Sequence, residues 1–306
     1  MKTGKGIKIR EKYRQLRKAF EHALKMEMVV NNRLCIHHYH QSALSSQDVG
    51  IEPESSVVVS LTTHSKRIFE VYLTIESILQ QTLKPSRIIL WLGVDEFTED
   101  DIPLVLKKQV KRGLEIRYCD DLRSYTKLVP TLQLLPEATI ITIDDDYIYP
   151  FDFIERLVYT HRQFPQCVCY YKGGRMGLDN GGKVLPYLQW VDDEAEYTPS
   201  CLNFGAGVGG VLYPSGSFHA DVTDASLFRR YAPMADDIWF KAMTLLHDIE
   251  YVKVPLECTS EWKFISLENT QDIGLYLRNV RENKNDVQIR QTFDRYQIET
   301  RLKKYM

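Results

Sequence analysis

Short apolar runs alternate with stretches of helical period through the middle of the chain. Val57-Val58-Val59-Ser60-Leu61 is rich in β-branched residues and predicts a strand. Ile68, Val71, Tyr72, Ile75, Ile78 and Leu79 then recur at three- and four-residue steps, which predicts a helix over 68–80. Pro85 breaks the chain, 88–92 reads as a second strand, and Pro103 opens a helix through Val110 that stops at Gly113. A third strand over 114–118, a helix over 127–135, a fourth strand over 138–143 and a helix over 151–164 continue the alternation.

This order predicts an α/β fold: a mostly parallel, Rossmann-like sheet flanked by helices, with ligands at the C-terminal ends of the strands. Before it, Tyr13, Leu16, Phe20 and Leu24 recur among Lys12, Arg14, Arg17 and Lys18, the pattern of a basic amphipathic helix. Such a helix either packs on its own domain or lies on an anionic membrane. Residues 42–56, with Ser45-Ser46, Gly50, Pro53 and Ser55-Ser56, read as a linker, and 287–302 as a C-terminal helix. The expected division is a basic helical extension over 1–50, the α/β domain over 51–255, and a C-terminal helical extension over 256–306 packed on it.

Composition narrows the class. With 44% hydrophobic and 26% charged residues in 306, the chain is globular rather than disordered. A formal charge of -2 gives no global reason to expect a nucleic-acid partner. The charge is uneven, since residues 1–25 carry nine Lys or Arg against Glu11 and Glu21. No stretch approaches the roughly 20 apolar residues that span a bilayer, and the charged N-terminus does not read as a secretory signal, so the expected compartment is the cytoplasm. No two of Cys35, Cys119, Cys167, Cys169, Cys201 and Cys258 have the paired spacing of a zinc or redox site, and they read as reduced thiols.

The fourth strand runs directly into Asp144-Asp145-Asp146. Like charges this close resist ionising unless a cation or donors compensate them, which makes a divalent metal the economical explanation. Hard carboxylate oxygens suit Mg2+ or Mn2+, held by one or two carboxylates plus substrate phosphates.

With its strand, Ile141-Thr142-Ile143-Asp144-Asp145-Asp146 resembles the DxD motif of the GT-A nucleotide-sugar glycosyltransferases, and the resemblance covers about 57–255. It implies that Asp146, with Asp144, binds the metal bridging the nucleotide diphosphate, and that Asp144 and Asp145 contact sugar and ribose. Thr62, Thr63, Ser65 and Arg67 are similar in position to the family's nucleotide-gripping loop, although they depart from its commoner Pro-x-Tyr-Asn form. Lys127 lies where a second nucleotide contact is expected and reaches a phosphate as a point charge.

Gly207, Gly209 and Gly210 fall in a glycine-rich run without the Lys-Ser/Thr of a P-loop, where the resembling enzymes line the donor sugar and acceptor; a bulge or tight turn is the plain alternative. Asp236-Asp237 opens an amphipathic helix and resembles the acidic pair of inverting GT-A enzymes, usually Glu-Asp. That implies Asp237 as general base and Asp236 as its orienting neighbour, against a simple helix cap. His247, inside the expected helix, is a poor third metal ligand. His219 reads as a surface or hydrogen-bonded histidine. His37-His38-Tyr39-His40 is metal-like in composition but lies outside the alternating domain. Trp262 offers a ring for core packing or a sugar face.

The expected function is metal-dependent transfer of a sugar from a nucleotide diphosphate to a carbohydrate hydroxyl, with inversion, in bacterial surface polysaccharide assembly. A lipid-linked acceptor would suit the basic N-terminal helix. The rivals are a nucleotidyltransferase acting on a sugar phosphate, which needs a glycine-rich basic loop that 62–67 lacks, and a non-catalytic carbohydrate-binding protein of the same fold.

Overall fold

The computed structural model describes residues 3–191, 194–256, 264–267 and 284–305, with backbone alone for 3–10 and 194. Trp262 and Cys258 lie outside the described residues. The chain opens with α1 (Thr3–Ser45), β1 (Val57–Thr62), α2 (Val71–Leu79), β2 (Arg87–Gly93), α3 (Leu104–Val110) and β3 (Leu114–Cys119). Then come α4 (Val129–Leu134), β4 (Thr139–Thr142), β5 (Tyr147–Ile148), α5 (Phe153–Gln163), β6 (Val168–Tyr170) and β7 (Gly173–Arg175). β8 (Asn203–Gly205), β9 (Val211–Tyr213), α6 (Ala225–Tyr231), α7 (Asp236–Leu245), β10 (Tyr251–Lys253), β11 (Ile265–Ser266), α8 (Lys284–Tyr296) and α9 (Ile298–Leu302) complete the order.

Seven strands form the central sheet in the order β10-β6-β9-β4-β1-β2-β3. β1 pairs in parallel with β2 and β4, placing Val59 beside Ile88 and Ile141, and β2 pairs in parallel with β3. β9 alone runs antiparallel, against β4 and β6. That reversal matters for the site, because it brings the residues before β9 to the edge where β4 ends.

Alternating residues of these strands face opposite layers. Val57, Val59 and Leu61 pack with Ile75, Ile78, Leu106 and Leu157 of α2, α3 and α5. On the other face, Ile140, Val211 and Tyr213 meet Phe228, Trp239, Phe240 and Met243, with Ile289, Phe293, Ile298 and Leu302 of α8 and α9. The sheet is therefore covered on both sides, as strands apolar on both faces require.

Two expectations change at the N-terminus. α1 is one continuous helix to Ser45, so the first residues of the expected linker are helical. Its C-terminal part is docked by a buried polar network: Ser42 Oγ donates to Glu76 Oε1 at 2.7 Å, and Glu76 is also held by Gln80, Gln109 and Arg112. The rest of that segment is tied down as well, with Gly50 N donating to Arg112 O and Glu52 N to Pro85 O. His38 bonds to Gln80 and His40 to Tyr72, so two of the histidines with metal-like composition serve packing. No described helix is long and apolar enough to cross a membrane.

Candidate active site

Four chain segments converge at the C-terminal edge of the parallel strands: the turn after β1, the turn before α4, the aspartates after β4 and the start of α7. Thr62 stays within the sheet, its hydroxyl donating to Trp91 O at 3.0 Å. Thr63 Oγ1 donates to Asp145 Oδ2 at 2.6 Å, and Arg67 Nη1 to Asp145 Oδ1 at 2.5 Å. Arg67 Nη2 lies 3.1 Å from Asp146 Oδ2, so one guanidinium bridges two aspartates. Ser65 is exposed, with φ 52°, and its N–H donates to Glu96 Oε1. Of the loop residues singled out in the sequence, Thr63 and Arg67 thus address the aspartates directly, whereas Thr62 is committed to β2 and Ser65 to Glu96.

Lys127 is only 5% exposed and ends a 3-10 turn over Arg123–Lys127, ahead of the helix that was expected to begin with it. Its Nζ donates to Asp144 Oδ1 at 2.9 Å and stands 3.0 Å from Asp236 Oδ2, an ion pair without hydrogen-bond geometry. Burial lowers its proton affinity, but Asp144, Asp236 and Asp237 outweigh this and hold the ammonium well above the ordinary lysine value. For Asp145 burial is the larger influence: it raises the carboxyl despite Arg67 and Thr63.

These contacts revise the reason for invoking a metal. Arg67 and Lys127 already compensate the aspartate tip, so no divalent ion is needed to hold three carboxylates together. The described residues contain no cluster of three or more His, Cys, Asp or Glu arranged as a cage. What the tip offers is Asp144, whose side chain is 29% exposed, beside Asp146. That donor set fits a Mg2+ or Mn2+ ion shared with substrate phosphates rather than one enclosed by protein.

Asp236 and Asp237 open α7, as the sequence predicts. Gly207 N donates to Asp237 Oδ2 at 3.1 Å, while Asp237 Oδ1 is buried and receives no hydrogen bond. Burial, then the neighbouring Asp236 charge, push the Asp237 carboxyl up to about 7. A side chain at Gly207 would place its Cβ 2.5 Å from Lys127 Nζ and 3.0 Å from Asp237 Oδ1, so glycine is what lets these groups converge.

The other two glycines serve the fold, which narrows the expectation that the whole run lines a ligand. A Cβ at Gly209 would lie 2.7 Å from Lys172 N, and one at Gly210 2.5 Å from the Phe153 ring. Gly210 also has φ 81°. Together they make a tight 3-10 turn, over Gly207–Gly209, between β8 and β9.

Supporting residues escaped the sequence reading. Asp144 N–H donates to Tyr149 Oη at 3.0 Å, Thr74 Oγ1 donates to Asp145 O, and Tyr125 Oη donates to Ala232 O, pinning the loop ahead of Asp236. Thr74 and Tyr125 carry no local signal, since their partners lie 71 and 107 positions away, whereas Tyr149 is only five residues from Asp144. Beside that loop opens a hollow of about 400 Å3 lined by Leu122, Arg123, Arg229 and Pro233 among others. His219 accepts a hydrogen bond from Asp221 N, as a local capping residue would. His247 lies past the end of α7 rather than within it, roughly 12 Å of helix from Asp237.

No family model matches this chain, and no curated protein matches it. Among solved structures, the mannosyltransferase PcManGT from Pyrobaculum calidifontis, in complex with GDP-Man and Mn2+, aligns with TM-score 0.48 and 12% identity over 89% of this chain and 74% of that one. S. aureus TarS 1–349 aligns with TM-score 0.37 and 15% identity over 64% of this chain and 58% of that one. Its complex with UDP-GlcNAc aligns with TM-score 0.38 and 11% identity, over 67% and 60%. The chain thus spans about three fifths of the TarS structures. Likenesses this loose transfer neither an activity nor a residue role, which rest on the geometry above.

Proposed function

We propose that this chain is a metal-dependent glycosyltransferase that moves a sugar from a nucleoside diphosphate donor to a carbohydrate hydroxyl with inversion. The observation that carries the proposal is Asp237. One carboxylate oxygen is fixed by Gly207, and the other is buried without a donor. An acceptor hydroxyl supplies that missing donor. Its proton passes to Asp237 as the acceptor oxygen bonds to the anomeric carbon and the bond from that carbon to the diphosphate breaks. Asp236, held by Lys127, orients the pair.

In this reading Thr63, Arg67, Lys127, Asp144 and Asp145 surround the nucleotide sugar, Thr62 and Ser65 shape the loop that carries Thr63 and Arg67, and the turn bearing Gly207, Gly209 and Gly210 closes the donor and acceptor side. Asp146 and Asp144 would hold Mn2+ or Mg2+. The ion, when bound, supplies positive charge against the leaving diphosphate. Residues 51–255 form the catalytic domain in this proposal, and surface polysaccharide assembly from a cytoplasmic donor is its finer form.

The test is Asp237→Asn in the full chain. Nucleotide-sugar binding by calorimetry is expected to persist, while transfer falls by roughly 10²–10⁴-fold, the usual worth of a positioned base. Unchanged transfer removes Asp237 from the reaction. Release of pyrophosphate from a nucleoside triphosphate would identify a nucleotidyltransferase instead.

A further inference from the structure

α1 carries an apolar stripe that nothing in the described fold covers. Tyr13, Leu16, Phe20 and Leu34 are 74%, 62%, 65% and 61% exposed. At about 100° per residue these four fall within an arc of about 60°. Val30, half exposed at 50%, extends the stripe on one side. The body is met by a different face: Ala43 is buried, and Ile36 and Tyr39 pack against Leu73, Ile148 and Leu267. On the same helical wheel this packing face lies between a third and half a turn from the stripe.

The polar network at Glu76 anchors the packed end of the helix, so the stripe is presented on a fixed arm rather than a loose tail. Basic residues border it. Lys12 flanks one side, while Arg17 and then Arg14 flank the other; across 11–35 there are six Lys or Arg against three Glu. Glu27 falls on the stripe and separates its Tyr13–Phe20 portion from Val30 and Leu34.

We infer that the Tyr13–Phe20 portion of α1 docks this protein on an anionic phospholipid surface. Tyr13, Leu16 and Phe20 enter the headgroup boundary, and Lys12 on one side and Arg17, then Arg14, on the other face the lipid phosphates. Charge decides between this occupant and a second copy of the chain. Two such helices joined through the stripe would set basic rims against each other, whereas a bilayer surface of opposite sign is complementary to both rims at once. This inference goes beyond the donor site and stands apart from it.

Flotation of the full chain with vesicles tests it. Retention is expected on vesicles of equal phosphatidylglycerol and phosphatidylcholine, and not on phosphatidylcholine alone. Each basic residue removed in Lys12→Gln/Arg14→Gln/Arg17→Gln is expected to lower partitioning roughly fivefold. Leu16→Glu/Phe20→Glu is expected to abolish retention. Because these side chains are exposed, every variant is expected to keep its thermal midpoint and its nucleotide-sugar binding, so failure here is separable from failure of the proposed activity. Tyr13→Trp should shift its emission to the blue on anionic vesicles alone. Equal retention on both vesicle types, retention insensitive to these substitutions, or a concentration-dependent dimer broken by Leu16→Glu/Phe20→Glu would overturn the inference.

Discussion

Lys127 Nζ lies 3.0 Å from Asp236 Oδ2, and the same ammonium donates to Asp144 Oδ1 at 2.9 Å. One buried cation thereby joins the aspartate tip after β4 to the acidic pair that opens α7. Removing it in Lys127→Met leaves buried carboxylates uncompensated, a change that costs about 3–5 kcal/mol in comparable buried pairs. Urea unfolding is expected to show a loss of that order, and Lys127→Arg, which keeps the charge, a smaller one. Equal stability of Lys127→Met and the unaltered protein would mean that the ion pair does not form in solution.

Asp237 gives a pH dependence with a defined sign. Burial and Asp236 hold its carboxyl up at about 7, above the ordinary carboxylate value of about 4. The base must be ionised to accept a proton, so transfer is expected to rise with pH through a midpoint near 7. Stability moves the other way. Between about 4 and 7 the folded chain binds this proton more tightly than the unfolded chain, so folding stability falls as pH rises through that window. Asp237→Asn should flatten that part of the stability profile, as read by urea midpoints across the range.

Gly207 permits the approach of Lys127 and Asp237. With a Cβ only 2.5 Å from Lys127 Nζ, Gly207→Ala forces the amine to move. A displacement on the scale of an ångström at a reacting centre costs on the order of 10²-fold in rate. Overpacking of this kind costs about 1–3 kcal/mol. Transfer assays paired with thermal melts are expected to show the large rate effect with the modest stability effect.

Arg67 and Lys127 supply the counter-charge that a metal would otherwise have to provide. Chelation by EDTA is therefore expected to stop sugar transfer while leaving the melting temperature of the ligand-free protein unchanged. A fall in melting temperature would show that a resident ion, rather than these two side chains, holds the tip together.

The alternating middle of the chain was readable because its signals are local. The runs at 57–61 and 88–92 are apolar enough for buried parallel strands, and Pro85, Pro103 and Gly113 punctuate the helices. The antiparallel direction of β9 was not readable, since three residues carry no record of their partners. The linker reading failed at Ser42 because its hydroxyl reaches Glu76 34 residues away. At the site, the acidic residues are prominent in the sequence, but their compensation is not: Arg67 meets Asp145 across 78 positions. Lys127 was legible as a candidate phosphate contact, but nothing nearby in the chain reveals that Asp236 will close over it.

The account rests on Asp146 and Asp144 forming a diphosphate site, and calorimetry of GDP and UDP with Mn2+ tests that most directly. Binding of at least one nucleotide is predicted for the unaltered chain, to be lost without Mn2+ and in Asp146→Asn. Absence of binding for every nucleoside diphosphate, or equal affinity in Asp146→Asn, would contradict it.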